Sequence, residues 1–504
     1  MNRQRFLLPG LLLLTAARLT VLPLRELSPV ECYTLLCARL GGLWHAMLGP
    51  VLPMLAELSS VPFGGSAFGL RLLAPFLILG ASLLLWLLGR GLFDEYTATW
   101  AVVFFNALPC VNLAAVTFTP MTFGIVLSIG LLFALRLALH RSHPWHLYWW
   151  LVSGVLVLGF FTHWWFLALA VSLGAALAIT GRGRRILLKW PVLPILLGTS
   201  GIMLTIFVAW DSEHHWLAFG SYPIRKLPFF DGLWQLLFVQ TLPLFFVFIW
   251  ALLRSAQRTP LTYPVAFLLA FAWPLITLDF LAIPGSAWPQ CGFAGWTGPV
   301  VLLLAHQTVL WQPRPLRIKI IARTLFFGIT AVQAYAITLS DGVRHQGIPW
   351  NYHRGDPHAS ALPPDPSRYL IGWIQTATTL RDIISHEKPA YPLPHLVATD
   401  HWELAAPLSW YSETQHLLPA GPSGVAVSLL SRRPGTNTPF SLWAHWKDPT
   451  DDAKTLFFVT DQDDADAPPT YVTQLFPHVR MVGFYNVMCD DRLVRTMKVF
   501  ACSR

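Results

Sequence analysis

Long apolar stretches recur through the first 340 residues, and most reach the length that a transmembrane helix needs. Only 12% of the chain is charged, about half the share of a soluble globular protein. This pattern excludes a soluble enzyme, a disordered chain and a nucleic-acid-binding module. Eleven spans are predicted at 6–22, 68–89, 96–116, 120–139, 147–161, 164–180, 191–209, 233–253, 262–283, 297–311 and 320–340.

Basic residues concentrate in the apolar part of the chain. Residues 1–340 contain 21 Lys and Arg against 9 Asp and Glu, whereas residues 341–504 contain 14 against 17. With a cytoplasmic N-terminus, the loops on the cytoplasmic side and the adjoining ends of the spans contain 15 basic residues, whereas those on the other side contain six. We therefore expect a multi-pass protein of the bacterial inner membrane whose first apolar stretch is a retained span and whose C-terminal domain is periplasmic.

Two domains follow from this division: a transmembrane domain over 1–340 and an α/β domain over 341–504. Within the first, the outer loop 23–67 is too long for a turn, and its modest hydrophobicity predicts helices lying at the membrane surface. Pro109 and Pro120 interrupt the spans between 96 and 139, which predicts either a simple loop or a helix break buried in protein.

The C-terminal domain alternates an amphipathic pattern with strand-like runs. A helix is predicted at 368–386, and strands are predicted at 393–400, 425–431, 455–461, 479–487 and 493–502. The acidic run 461–469 lacks the spacing of an EF-hand, so a solvated loop is favoured over a calcium site. Cys489 and Cys502 flank the last strand pair, where a disulfide is one alternative and two free thiols the other.

Two polar residues near the predicted outer face could take part in chemistry. Glu31 could act as a general base on a hydroxyl, or it could be a solvated carboxylate or a partner of Arg39. His163 could pair with a lipid phosphate as a cation, or it could be a hydrogen-bonded interfacial histidine. The residue types alone leave both pairs of alternatives open.

Seven segments spread over nearly the whole chain follow one another in a distinctive order. They are VECYT (30–34), PFGGSAFGLRL (62–72), LLGRGLFDEYTATWA (87–101), ALPCVNLAAVTFTP (107–120), GFFTHWW (159–165), WDSEHHWLAF (210–219) and VATDHWELAAPLSWY (397–411). Their order resembles that of the bacterial GT-C membrane glycosyltransferases, the group of the protein mannosyltransferases and the lipid A aminoarabinose transferase.

The resemblance implies a GT-C fold and an activity. The donor would be a polyprenyl-phosphate sugar, and the acceptor a periplasmic lipid or glycan whose hydroxyl attacks with inversion. Glu31 would be the catalytic base. The residues predicted to bind phosphate or substrate are Arg39, His163, Arg71, Tyr33 and His45. No cofactor and no metal is expected, because acids that the metal-dependent members use are missing.

Several motif positions depart from the family. Val30 replaces an Asp, Met121 replaces the Asp of a Thr-Pro-Asp motif, and His163 replaces a Lys. An Asp-His-Pro-Pro motif falls on residues 47–50, where only Pro50 survives. Three hypotheses remain: an active transferase that relies on Glu31, a site rebuilt for another substrate, or a catalytically inactive protein that binds lipid or assists a partner protein.

Overall fold

A computed structural model describes most of the chain. The described residues are 4–40, 48–140, 147–163, 166–187, 192–214, 216, 244–257, 262–282, 294–310, 324, 328, 371–387, 396–399, 401–418, 426–430, 455–461, 468–489 and 492–503.

They divide into two compact units. The helical unit takes its residues from 1–22, 68–210 and 224–347. The sheet unit takes its residues from 23–67, 211–223 and 348–504. The segment 23–67, an outer loop of the first domain in the sequence-based division, thus groups with the C-terminal residues.

Helices make up most of the described part of the helical unit. Their bounds are α1 Gln4–Val21, α4 Ala67–Arg71, α5 Leu73–Leu92, α6 Glu95–Ala107, α7 Pro109–Val116, α8 Pro120–His140, α9 Leu147–Thr162, α10 Leu167–Ile179, α11 Gly181–Leu187, α12 Val192–Glu213, α13 Leu244–Ala256, α14 Tyr263–Ala282 and α15 Thr297–Leu310. The helices α2 and α3, which lie between α1 and α4, belong to the sheet unit.

In the described residues, these helices coincide with the predicted spans from 6–22 to 297–311, of which the span 233–253 is described only from residue 244. The predicted span 320–340 lies almost wholly outside the described residues. Four described helices are long and apolar enough to cross a membrane, and a fifth crossing is made by α6 and α7 if that bent pair is one span. The described part of the chain therefore has several helices that are able to cross a membrane, and the count of eleven spans stays a prediction.

The helix break near Pro109 is an abrupt bend between α6 and α7. The two helices meet at 67°, and Leu108 and Pro109 at the junction are buried. Proline occupies the first position of α7, where its missing N–H costs no helical hydrogen bond. Of the two predicted alternatives, the structure has the break that is buried in protein.

The sheet unit combines helices with a five-stranded sheet. Its helices are α2 Pro29–Leu40, α3 Val51–Ser60, α16 Trp373–Glu387, α17 Trp402–Thr414 and α18 Thr470–Leu475. Its strands are β1 Leu396–Thr399, β2 Ser428–Leu429, β3 Thr455–Thr460, β4 His478–Cys489 and β5 Arg492–Ser503.

The sheet order is β2-β1-β3-β5-β4. Strand β1 is parallel to β2 and β3, whereas β5 is antiparallel to β3 and β4. The five predicted strands and the helix at 368–386 are confirmed, while α17 and α18 were not predicted. Helix α3 leaves an apolar face exposed at Met54 and Leu58, the pattern of a helix at a lipid interface.

A disulfide between Cys489 and Cys502 is excluded by the register of the last hairpin. Cys502 lies opposite Val479, and Cys489 lies opposite Arg492 at the other end of the hairpin. Ten residues of strand separate the two positions by roughly 30 Å, far beyond the Cα distance that a disulfide bridges. Cys502 is a free thiol buried among Phe458 and Phe500 in the core of the sheet unit.

Candidate active site

Glu31 and Ser28 together cap the N-terminus of α2. The Ser28 N–H donates to Glu31 Oε2 at 2.9 Å, and the Glu31 N–H donates back to Ser28 Oγ at 3.3 Å. Pro29 follows Ser28 as the first helical residue. This reciprocal arrangement is a capping box, in which a Ser and a Glu three residues later satisfy two backbone donors.

The capping box explains why a carboxylate is tolerated in a fully buried position. Glu31 has no exposed surface, and a buried carboxylate needs hydrogen-bond donors in place of water. The pattern S-x-x-E over residues 28–31 is typical of a capping box, so this role of Glu31 could be predicted from the amino-acid sequence. A carboxylate in this place can hold the helix and still accept a proton on one of its two oxygens.

The rest of α2 packs against α17. Tyr33 is buried, and its ring meets the Trp402 ring edge-on at a centroid distance of 5.9 Å. Just before α2, the Leu27 N–H donates to the Tyr411 hydroxyl at 2.6 Å. The structure therefore places Tyr33, a predicted substrate-binding residue, in the core between two helices of the sheet unit.

Arg39, predicted to lie near a phosphate, forms an ion pair with Glu413. The Arg39 side chain is 46% exposed, whereas that of Glu413 is 8% exposed. Glu413 also accepts hydrogen bonds from the Ala426 N–H at 2.9 Å and the Ser409 hydroxyl at 3.3 Å. Partial burial lowers the pKa of Arg39 from its usual range. A phosphate that bound Arg39 would have to share the guanidinium with Glu413.

The carboxylate of Glu26, just before α2, has a role that was not predicted from the sequence. Glu26 accepts hydrogen bonds from the N–H groups of Trp373 at 2.5 Å and Ile374 at 3.3 Å. These are the first two residues of α16, so Glu26 neutralises donors that a helix N-terminus leaves unpaired. No local pattern could reveal this role, because 347 residues separate Glu26 from Trp373.

The other predicted residues lie in the helical unit or outside the described residues. Arg71 is buried, and its Nη1 donates to the Leu22 carbonyl at 3.0 Å. His163 is buried just after α9, with its ring 6.4 Å from that of Phe166. His45 lies outside the described residues. The structure thus brings Glu31, Tyr33 and Arg39 together on one helix.

Two positions at which the resemblance implies an acid carry buried apolar side chains. Val30 on α2 is 3% exposed and Met121 on α8 is 1% exposed. Within the described ranges, no group of three or more His, Cys, Asp or Glu side chains could hold a metal ion.

No protein-family model matches the chain, and no curated protein matches it by sequence. The helical unit and the sheet unit nevertheless define a polytopic protein with the GT-C fold, and solved structures of membrane glycosyltransferases show the same fold. ArnT from Cupriavidus metallidurans bound to undecaprenyl phosphate is similar over 99% of this chain and 98% of its own, with a TM-score of 0.60 and 14% identity.

The oligosaccharyltransferase AglB from Archaeoglobus fulgidus, in complex with an inhibitory peptide and a dolichol-phosphate, is also similar. It matches over 91% of this chain and 70% of its own, with a TM-score of 0.53 and 13% identity. The expected GT-C fold is therefore confirmed.

Proposed function

We propose that the protein is a membrane glycosyltransferase that moves a sugar from a polyprenyl-phosphate donor to a lipid or glycan acceptor. The reaction would take place at the periplasmic face of a bacterial inner membrane, with the N-terminus in the cytoplasm. The end-to-end fold likeness to ArnT bound to undecaprenyl phosphate carries this proposal. The buried carboxylate of Glu31 at the start of α2 supplies a group that can accept a proton.

The reaction needs one base and one leaving group. The acceptor hydroxyl oxygen bonds to the anomeric carbon on the face opposite the phosphate, and the bond from that carbon to the phosphate oxygen breaks. The hydroxyl proton passes to Glu31, and the polyprenyl phosphate leaves with the bonding electron pair. Attack from the opposite face inverts the configuration at the anomeric carbon. The phosphate charge would be met by cationic side chains, for which Arg39, Arg71 and His163 are the candidates.

A catalytically inactive lipid-binding or accessory protein is the second candidate. Two observations favour it. Glu31 and Arg39 both have structural partners, Ser28 and Glu413. Val30 and Met121, where the family has acids, are apolar and buried. In this case the protein would bind the lipid carrier and act with a partner protein, and the outer domain 341–504 would be needed for that contact.

The deciding experiment measures sugar transfer by the purified full-length protein in lipid nanodiscs. A panel of radiolabelled polyprenyl-phosphate sugars is tested with the wild type and with the Glu31→Gln variant. Transfer by the wild type that the variant lacks supports the enzyme. Binding of a donor without transfer, together with a cellular phenotype that needs residues 341–504 but not Glu31, supports the accessory role. Transfer that Glu31→Gln leaves intact overturns the assignment of the base.

A further inference from the structure

Arg18 carries a buried positive charge in the last turn of α1. Its side chain is 5% exposed. Nη1 donates to Asn106 Oδ1 at 3.1 Å, and Nη2 donates to Asn112 Oδ1 at 2.8 Å. Asn106 lies on α6 and Asn112 on α7, so the guanidinium joins the two sides of the bent helix pair.

The two asparagines are themselves held in place. The Asn106 amide donates to Ser82 Oγ at 2.9 Å and to the Val102 carbonyl at 3.0 Å. The Asn112 amide donates to the carbonyls of Asn106 and Leu108, both at 3.1 Å. Because each amide NH2 group already has two acceptors, each Oδ1 is left to face Arg18. The Asn112 amide also joins the two helices directly, because it donates from α7 to the Asn106 carbonyl at the end of α6.

Among the described residues, this network satisfies the hydrogen bonds of the guanidinium with neutral groups and gives its charge no acidic partner. Both partners of Arg18 are neutral amides, and among the described residues no carboxylate contacts its guanidinium. Its Nε is buried and has no hydrogen-bond partner in the same part of the chain. Charged residues inside membrane segments are costly and usually pair with another charge. A structural clamp needs donors, which a neutral side chain could supply, and it does not need a net positive charge.

Other features at this end of α1 also favour an anion. The Leu22 carbonyl, one helical turn beyond Arg18, accepts a hydrogen bond from the buried Arg71. Asn112 lies in the N-terminal half of α7, whose first turn carries the partial positive charge of a helix N-terminus. Arg18 lies about 21 Å along α1 from Gln4, the first residue of the helix, and is therefore close to its C-terminal end.

We infer that Arg18 is a positioning residue whose buried charge draws the phosphate of an anionic polyprenyl lipid to this end of α1. The inference rests on the proposed function, because it names a residue that helps place the lipid-phosphate donor. In a region of low dielectric constant, a fixed charge acts on an anion without touching it. The clamp holds the guanidinium at a fixed depth beside the bend.

The test places a carboxylate against the guanidinium. Asn106→Asp keeps an oxygen that accepts from Nη1 but cancels the charge of Arg18, and Asn112→Asp does the same at Nη2. We expect about a tenfold or greater loss of affinity for undecaprenyl phosphate in nanodiscs. The melting temperature should stay near that of the wild type, because the new ion pair offsets the two amide hydrogen bonds that each substitution removes. Affinity for undecaprenol, which lacks the phosphate, should stay unchanged. Ser82→Ala is the matched control, since it removes one hydrogen bond without altering charge and should lower stability alone.

Each outcome decides a separate point. Full affinity for undecaprenyl phosphate in folded Asn106→Asp or Asn112→Asp overturns the role of the Arg18 charge. If millimolar inorganic phosphate displaces bound undecaprenyl phosphate as fully as added undecaprenyl phosphate does, the site recognises phosphate and not the lipid, and the lipid assignment is overturned. Wild-type binding of undecaprenyl phosphate without sugar transfer contradicts the proposed enzyme but leaves this inference standing. A wild type that binds undecaprenol as tightly as undecaprenyl phosphate overturns both.

Discussion

The Glu31 carboxylate and the Ser28 backbone N–H lie 2.9 Å apart, and this bond gives the proposed base a structural task as well. The same carboxylate therefore has to be tested by a substitution that separates the two tasks. Glutamine accepts a hydrogen bond in a capping box as glutamate does, but it cannot accept a proton at neutral pH.

We predict that Glu31→Gln folds with nearly wild-type stability and loses sugar transfer, because only the proton acceptor is removed. Glu31→Ala should lose transfer and also about 1 kcal/mol of stability, the usual cost of losing a helix cap. Melting temperature and transfer rate, measured side by side in nanodiscs, check both statements. Ser28→Ala is the control for the cap. A Glu31→Gln variant as unstable as Glu31→Ala would contradict the capping assignment.

The ion pair of Arg39 and Glu413 predicts that replacing its two residues by alanine lowers the stability of the fold by unequal amounts. Glu413→Ala leaves the buried Ala426 N–H without its acceptor and should cost about 1–3 kcal/mol. Arg39→Ala should cost under about 1 kcal/mol, because the Arg39 side chain is half-exposed and its pair is screened by solvent. Chemical denaturation of the two single variants and the double variant measures the coupling. Equal costs, with no coupling in the double variant, would contradict the pair.

Arg39 also has a predicted role in holding phosphate, and the same variant tests it. If the guanidinium serves both Glu413 and the donor phosphate, Arg39→Ala raises the KM for the donor while leaving the fold intact. Arg39→Lys should recover part of this loss, because a lysine keeps the charge but not the planar fork of the guanidinium. Steady-state transfer kinetics check this, and an unchanged KM in Arg39→Ala would remove Arg39 from the site.

The hydrogen bonds from the start of α16 to Glu26 predict that α16 opens locally more often when the Glu26 carboxylate is removed. Replacing Glu26 with Ala leaves the first two N–H groups of α16 without their carboxylate, at a cost of about 1–2 kcal/mol. Amide hydrogen exchange over residues 373–387 should rise, while exchange in the helices of the helical unit should not. Glu26→Gln, which keeps an acceptor oxygen, should fall between the wild type and Glu26→Ala. Wild-type exchange in Glu26→Ala would show that the cap contributes nothing.

Cys502 predicts how the stability of the sheet unit depends on pH. Burial raises the pKa of the thiol from 9.0 to about 12. The folded state then keeps a proton that the unfolded state releases above pH 9, so stability is unaffected below pH 9 and falls as the pH rises towards 12. The slope is at most about 1.4 kcal/mol per pH unit. Hydrogen exchange of β5 at alkaline pH measures it, and Cys502→Ala should flatten the dependence. A thiol that reacts rapidly with iodoacetamide at pH 8 in the native protein would contradict the burial.

Much of the fold could be predicted because it depends on local pattern. A lipid bilayer demands apolar helices, so hydropathy alone located α5 and α8 closely. Strand runs such as Thr455–Thr460 were visible because short apolar segments between turn residues are typical of sheets. Even the role of Glu31 as a cap was present in the sequence, since Ser28 lies only three positions away.

Which polar groups meet could not be predicted from local pattern. Arg39 contacts Glu413, which lies 374 positions away in the sequence, and Arg18 contacts Asn112, which lies 94 positions away. The spacing of Cys489 and Cys502 fits a hairpin, yet the register places them at opposite ends of it. Apolar burial depends on each residue's own affinity for lipid or core, so the apolar helices and the strands could be predicted from the amino-acid sequence alone. A hydrogen bond or ion pair instead depends on the distance between two particular atoms, and chain folding alone sets that distance.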